Sequence, residues 1–414
     1  MGRISQVQGD LKVMALRPLL ALSLAVLLSA CVSKSIKSTS VPGIQSASTA
    51  VSEELLLDVG IAVFDPGLDD YDEDDRIYPE VRKAEARYMP TILSEAMQNS
   101  GAWGAVRVVP SDKQITDLMV TGKILYSDGE ELQLQITATD SRGYEWLDKK
   151  YTGNSSRYAY KVTTRSTYDP FQAVYNTIAN DLLQIQEELR PEDRKNMRLV
   201  TELLFARSFS VDAFDGYLGK NRKGHYIVLR LPAANDPMLQ RVQDLRARDR
   251  LFVDTLQEYY INFDEQMSGP YQEWRKLSYE ESVALQELKA ESTRRLVAGT
   301  VAILAGIAGA TSGDSNTTRA AGQIAVIGGG YLLKTGLEKR NEAQIHVEAL
   351  EELGMSLEAE IAPQVIELED RTVLLNGNVE DQYAQWREVL AEIYRTEIGV
   401  LELPEESSAT TDTL

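Results

Sequence analysis

The sequence predicts an α+β protein. An N-terminal α/β sandwich-like module with an antiparallel meander comes first, followed by a mainly α-helical domain containing an apolar, Gly/Ala-rich helical hairpin. Three observations carry this. Short apolar runs separated by turn residues dominate 53–155, with one helix-spaced segment among them. From 165 to 403 apolar residues recur mainly at helical spacing, and 296–336 is nearly free of charge.

In the module, Leu55-Leu56-Leu57 and Gly60 to Phe64 predict a mostly buried strand, stopped at Asp65-Pro66-Gly67. Val81, Ala84, Tyr88, Ile92 and Ala96 then lie on one helix face, ending near Ser100-Gly101. Pro90 falls inside that pattern and predicts a kink or break. Val106, Val108 and Val109 predict a short strand. Leu118, Val120, Gly122 and Ile124 alternate as a strand face, as do Leu132, Leu134, Ile136 and Ala138. The Asp128-Gly129 pair between them favours a tight hairpin turn. A further strand spans Tyr144 to Tyr151, after Ser141-Arg142-Gly143.

Asp117 to Leu125 (DLMVTGKIL) and Leu132 to Trp146 (LQLQITATDSRGYEW) resemble the α/β domain of several envelope lipoproteins. These include the curli-secretion channel lipoprotein and the lipoprotein activators of peptidoglycan synthases. The resemblance covers the meander and carries no catalytic residue with it.

In the second half, Phe171, Val174, Ile178, Leu182 and Ile185 follow helical spacing up to Arg190-Pro191. A less regular stretch contains a strand at Tyr226 to Leu231, bounded by Gly224 and Pro232. Leu239 to Met267 and Tyr271 to Arg295 read as two long charged helices. Leu332 to about Leu375 reads as another, kinked at Pro363, and Val379 to about Ile398 as the last. That last helix places Val379, Tyr383, Trp386, Leu390 and Ile393 on one face. The tail 404–414 is expected to be disordered.

The 296–336 stretch has two apolar arms, a polar tip at 311–318 and basic residues (Arg294, Arg295, Lys334) at its base. Ala298, Ala302, Gly306 and Ala310 recur every fourth residue on the first arm, and Ala321, Ala325 and Gly329 on the second. That spacing lets two backbones approach closely. The arms are short of the ~30 Å hydrocarbon core of a bilayer. A buried or oligomer-packed hairpin therefore competes with a membrane-inserted one.

The N-terminus reads as an export signal. Arg17 precedes an apolar run, Leu19 to Leu28, which is half the length needed to span a bilayer. Met14 gives a more compact signal than Met1 and is the expected start. The following Leu28-Ser29-Ala30-Cys31 resembles the lipobox of bacterial lipoproteins. The resemblance implies cleavage of 1–30 and lipid on the Cys31 sulfur. Val32, not aspartate, follows the cysteine, which by the same resemblance implies the outer membrane, facing the periplasm. The Ser/Thr-rich 31–52 reads as a flexible tether.

Cys31 is the single cysteine, so no internal disulfide or thiolate metal site is expected. A net charge of −20 disfavours nucleic acid and anionic lipid as partners. The acidic run Asp69 to Asp75 lacks the glycine and closing glutamate of a calcium-binding loop. His225 and His346 form no ligand pair. Neither a nucleophile elbow nor a phosphate-binding loop is present. The expectation is a non-catalytic envelope lipoprotein acting by protein contacts in envelope assembly, secretion or cell-wall maintenance. It would have no cofactor, no metal and no small-molecule substrate; its partners would be the membrane, through the lipid, and envelope proteins or copies of itself. The alternative is an oligomeric outer-membrane channel or membrane-remodelling component built on the hairpin, and a third is an envelope hydrolase.

Overall fold

The computed structural model describes residues 33–37, 41–48, 51–69, 78–161, 168–233, 235–309, 348, 352, 364–367 and 372–397. Side chains are described for all of these except 33–37, 281, 285–309 and 364–367. The fold is mixed α/β, with one mixed sheet and several helices.

The sheet contains β1 (Ser33–Lys37), β2 (Val59–Ala62), β3 (Val106–Val109), β4 (Leu118–Ser127), β5 (Glu131–Asp140) and β6 (Glu145–Asn154). Their order is β1-β6-β5-β4-β2-β3. β2 lies parallel to both β3 and β4, β4 to β6 pair antiparallel in sequence, and β1 runs parallel to β6. The alternation in the sequence sets the faces. Leu118, Val120 and Ile124 of β4 and Leu132, Leu134, Ile136 and Ala138 of β5 are fully buried. Against them pack α1 (Pro79–Gln98) and α2 (Gln172–Glu187), through Ala84, Met89, Leu93, Val174, Ile178 and Leu182. On the opposite face Gln135 and Thr137 both donate to Asp148 Oδ1. Gly122 sits where a Cβ would come within 2.6 Å of the Phe64 ring.

Pro90 neither breaks nor ends α1, contrary to expectation. A proline has no N–H for the carbonyl four residues back, here Ala86. The Phe64 N–H, just past β2, donates to that carbonyl at 2.9 Å, so the vacancy becomes a tertiary contact.

The segment read as a free tether is largely folded. β1 begins two residues after Cys31. Val41, Ile44 and Ala47 pack against the sheet core, while Asn176 and Asn180 of α2 donate to the carbonyls of Pro42 and Gly43. The backbone N–H groups of Gln45 and Ser48 donate to Asn180 and Glu187. The polarity of this segment is thus used in bonding to α2.

Beyond the sheet, α3 (Pro191–Phe209) and the short α4 (Val211–Phe214) lead into a hairpin, β7 (Leu218–Lys220) with β8 (Tyr226–Val228). α3 occupies part of the stretch expected to be irregular. The two expected helices from Leu239 to Arg295 are one, α5 (Pro237–Gly309), about 110 Å long at 1.5 Å per residue. Pro270 lies inside it, bracketed by Phe263, Met267, Tyr271 and Trp274, which fall on one face and are buried in the sheet core. That packing holds the helix together across the proline. Strands β9 (Gln364–Glu367) and β10 (Thr372–Leu375) pair antiparallel where the sequence was read as helix up to Leu375; β-branched Val365, Ile366, Thr372 and Val373 favour that state. The final helix, α6 (Val379–Glu397), packs Trp386 and Leu390 with α3 and α5 in a second core around Leu203, Phe205, Leu245 and Leu256.

The Asp128-Gly129 turn forms as a loop between β4 and β5, but for a different reason than expected. Gly129 is not in the left-handed region. Asp128 closes the turn by accepting the N–H groups of Glu130 and Glu131 on its Oδ1, both at 2.7 Å. Glycine is required because α5 lies on the turn: a Cβ at 129 would overlap the Arg275 carbonyl oxygen and the Tyr279 nitrogen.

Candidate functional site

None of the residues singled out from the sequence can be assembled into a site. Cys31, Ala310, Ala321, Ala325 and Gly329 lie outside the described residues, as do His346, Pro363, the tail 404–414 and the acidic run beyond Asp69. Ala298, Ala302 and Gly306 fall on the helical backbone of α5, and the hairpin expected at 296–336 is described only as far as Gly309. Among the described residues no helix is long and apolar enough to cross a membrane. No group of three His, Cys, Asp or Glu among them could hold a metal ion. His225 stacks on Tyr144, with ring centroids 3.8 Å apart.

The structure instead concentrates polar side chains at two places along α5. The first is a buried clamp between α5, α1 and the β4–β5 turn. Arg275 is fully buried and forms a two-pronged ion pair with Asp169, with Nη1 donating at 3.2 Å to Oδ1 and Nη2 donating to Oδ2. Its guanidinium also lies 4.1 Å from the Tyr271 ring centroid. Asp169 further accepts Tyr88 Oη at 3.2 Å and, by its other oxygen, the Phe171 N–H at the start of α2. One helical turn away, fully buried Glu85 accepts Ser127 Oγ at 2.6 Å and Tyr271 Oη at 2.5 Å. Burial pushes the Glu85 carboxyl above the usual carboxylate range, against the pull of Arg82. Gly129 completes the clamp: its N–H donates to Ser278 Oγ at 3.2 Å, and its carbonyl accepts Ser155 and Tyr160. Every group here fastens one element to another.

The second place is a cleft of about 480 Å³ between α3 and the N-terminal part of α5. Its walls are two helix faces with the same spacing. On α3 they are Lys195, Arg198, Leu199 and Glu202; on α5, Gln243, Arg246, Ala247 and Arg250. Residues at i, i+3, i+4 and i+7 share one side of a helix, the side normally apolar where two helices meet. Here it is mostly charged, and the gap is a cleft. Asp117, at the start of β4, lies at the floor with 3 % of its surface exposed.

The acidic residues of the cleft already have partners. Asp117 Oδ2 accepts the Asp58 N–H at 2.9 Å, and burial pushes this carboxyl up. Asp58 binds Arg250 at 2.7 Å through Oδ2 and the Ala105 N–H at 3.0 Å through Oδ1. Glu202 accepts Gln243, and Glu54 is 3.8 Å from Lys195. Among the described residues Arg198 donates only to backbone, at 2.8 Å to the Glu53 carbonyl and 2.9 Å to that of Leu56. Arg246 donates through Nη2 to the Ile115 carbonyl at 3.4 Å, while its buried Nη1 has no partner among the described residues. Such a donor costs about 1–3 kcal/mol when left unsatisfied. Burial, with Arg250 one turn away as the next cause, lowers the Arg246 pKa.

Sequence reasoning missed this cleft because each wall alone reads as a solvated helix face. The signal was a pair of basic residues on one face of each helix, three apart on α3 and four apart on α5, but only the packing of α3 beside α5 turns it into a site. Comparison with known proteins finds no match: no protein family, no curated protein and no solved structure corresponds to this chain.

Proposed function

We propose that the chain is a lipid-anchored protein of the bacterial cell envelope that acts through protein contacts, without catalysis of its own, in envelope assembly, secretion or cell-wall maintenance. The observation that carries this is the lipobox-like Leu28-Ser29-Ala30-Cys31 behind a short apolar run. On this reading the anchor sits in the outer membrane and the folded part faces the periplasm. Because β1 begins two residues after Cys31 and 41–48 is fastened to α2, the lipid holds the sheet close to the bilayer. The test is metabolic labelling with a palmitate analogue, comparing the native chain with Cys31→Ser. Label in the native protein alone, together with its recovery in outer-membrane fractions, is the expected result. An unlabelled native protein refutes the anchor. Crosslinking in intact envelopes then reads the protein contacts.

A second reading is favoured by α5 itself. Its last described side-chain contact with the turn is Ser282 Oγ to Asp128 at 3.3 Å, and the helix continues about 40 Å further to Gly309, ending in the charge-free run from Leu296. If 296–336 folds back as an apolar helical hairpin, the small residues Ala298, Ala302, Gly306, Ala310, Ala321, Ala325 and Gly329 form a packing seam for an oligomer in the membrane. A detergent-resistant ring supports this reading and a monomer in detergent rejects it.

A further inference from the structure

From the polar cleft between α3 and α5 we propose a binding site for a small oxyanion-bearing ligand, a carboxylate or a phosphate, held between the guanidinium groups of Arg198 and Arg246. The proposal does not depend on the lipid anchor or on where the protein resides.

Four features of the cleft converge on a negative ligand. The protein carries a net charge of −20, yet Lys195, Arg198, Arg246 and Arg250 all line this one space. The carboxylates around it are engaged: Asp58 by Arg250 and the Ala105 N–H, Asp117 by the Asp58 N–H, Glu202 by Gln243 and Glu54 by Lys195. Neither Arg198 nor Arg246 donates a hydrogen bond to a carboxylate among the described residues, although Asp117, Asp249 and Asp58 act on the Arg246 charge through space, and the two arginines stand on opposite walls. Arg246 and Arg250 are four residues apart on one helix face, a spacing at which like charges repel, and an anion seated beside them relieves that repulsion.

The donor geometry fixes the chemical class. A guanidinium presents parallel N–H groups that match two oxygens of one carboxylate or phosphate. Arg246 Nη1 is the donor this ligand would satisfy, since it is shielded from water and has no acceptor among the described residues. Arg198, partly exposed and tied at Nη1 to the carbonyls of Glu53 and Leu56, presents a fixed charge at the opposite wall. At about 480 Å³ the space accommodates a ligand the size of a small metabolite or the charged end of a larger molecule. Leu199 and Ala247 supply the apolar part of the walls.

The test is calorimetric titration of the full chain, in detergent and at constant ionic strength, with inorganic phosphate and separately with succinate, using chloride as the reference. Saturable binding of either ion above the chloride reference is expected, and the stronger ion identifies the source of the oxyanion. Arg246→Gln and Arg198→Gln are each expected to weaken that binding by about tenfold or more, the loss of one charge-assisted contact. Lys83→Gln, on α1 and outside the cleft, should leave it unchanged. Arg198→Gln keeps the test decisive if Arg246→Gln fails to fold. No saturable binding of either ion overturns the proposal, and so does unaltered affinity in the Arg198 variant or in a folded Arg246 variant.

Discussion

Gln257 of α5 caps the edge of the sheet at Val108: the Val108 N–H donates to Gln257 Oε1 at 2.9 Å, and Gln257 Nε2 donates to the Val108 carbonyl at 2.9 Å. One carboxamide thus takes the place of a neighbouring strand. Beside it, Arg107 pairs with Asp254 at 2.5 Å. β3 is the last strand on its side, and an uncovered edge is a template for pairing with other chains. The long helix therefore closes the sheet sideways as well as packing on its core.

Gln257→Ala leaves both Val108 groups without a protein partner and is expected to cost about 2 kcal/mol. Gln257→Glu should cost more, because a carboxylate accepts the N–H but opposes the carbonyl. Urea unfolding midpoints at constant slope measure both. A midpoint that does not move in either variant removes Gln257 from the edge.

Asp169 and Arg275 form a buried pair, and removing one partner strands the other charge. Arg275→Met and Asp169→Asn are each expected to destabilise by about 3–5 kcal/mol. Replacing both by apolar residues should cost less than the sum, since no charge is left behind. A double-mutant cycle in denaturant reads the coupling, and strictly additive effects would contradict a direct pair.

The parts of this fold legible in the sequence are those fixed by local period. The alternation in β4 and β5 and the helical spacing of α1, α2 and α6 reappear as buried faces. What was missed depends on partners distant in the chain. Pro90 and Pro270 look like breaks until Phe64 takes the Ala86 carbonyl and the sheet core takes Phe263 to Trp274. The helix α3 escaped because its buried face is broad and includes Arg194 and Thr201, leaving no narrow apolar stripe. The cleft is hidden for the same reason: Arg198 and Arg246 are ordinary surface cations until their helices lie side by side.

Gly129 permits α5 to lie on the β4–β5 turn. Gly129→Ala is expected to destabilise by about 1–3 kcal/mol by overpacking, because the obstructing atoms belong to the backbone of α5. Gly269→Ala, in the same helix with nothing near its Cβ, should stabilise by about 0.5–1 kcal/mol. Thermal unfolding of the two variants in opposite directions is the signature. A Gly129→Ala variant as stable as the native chain, or more so, would show that the glycine at 129 answers no close approach.

Asp264 of α5 has a buried oxygen with no hydrogen-bond partner among the described residues. Burial, aided by the charges of Glu95, Asp169 and Glu265, pushes its carboxyl from 3.8 up to about 7. Between those values the folded chain keeps the proton that the unfolded chain has lost, so raising the pH favours unfolding. Below about 4 both states are protonated and above 7 both are ionised, so the effect is confined to that window. Asp264→Asn removes it. The variant should match the native stability near pH 4, exceed it increasingly up to about pH 7 and hold a constant advantage above that, as measured by urea unfolding across the range. Glu85 and Glu95, also raised by burial, give the native chain the same slope, so the test is the difference between the two proteins and not the native profile alone. A difference that is constant with pH would show that Asp264 titrates alike in both states.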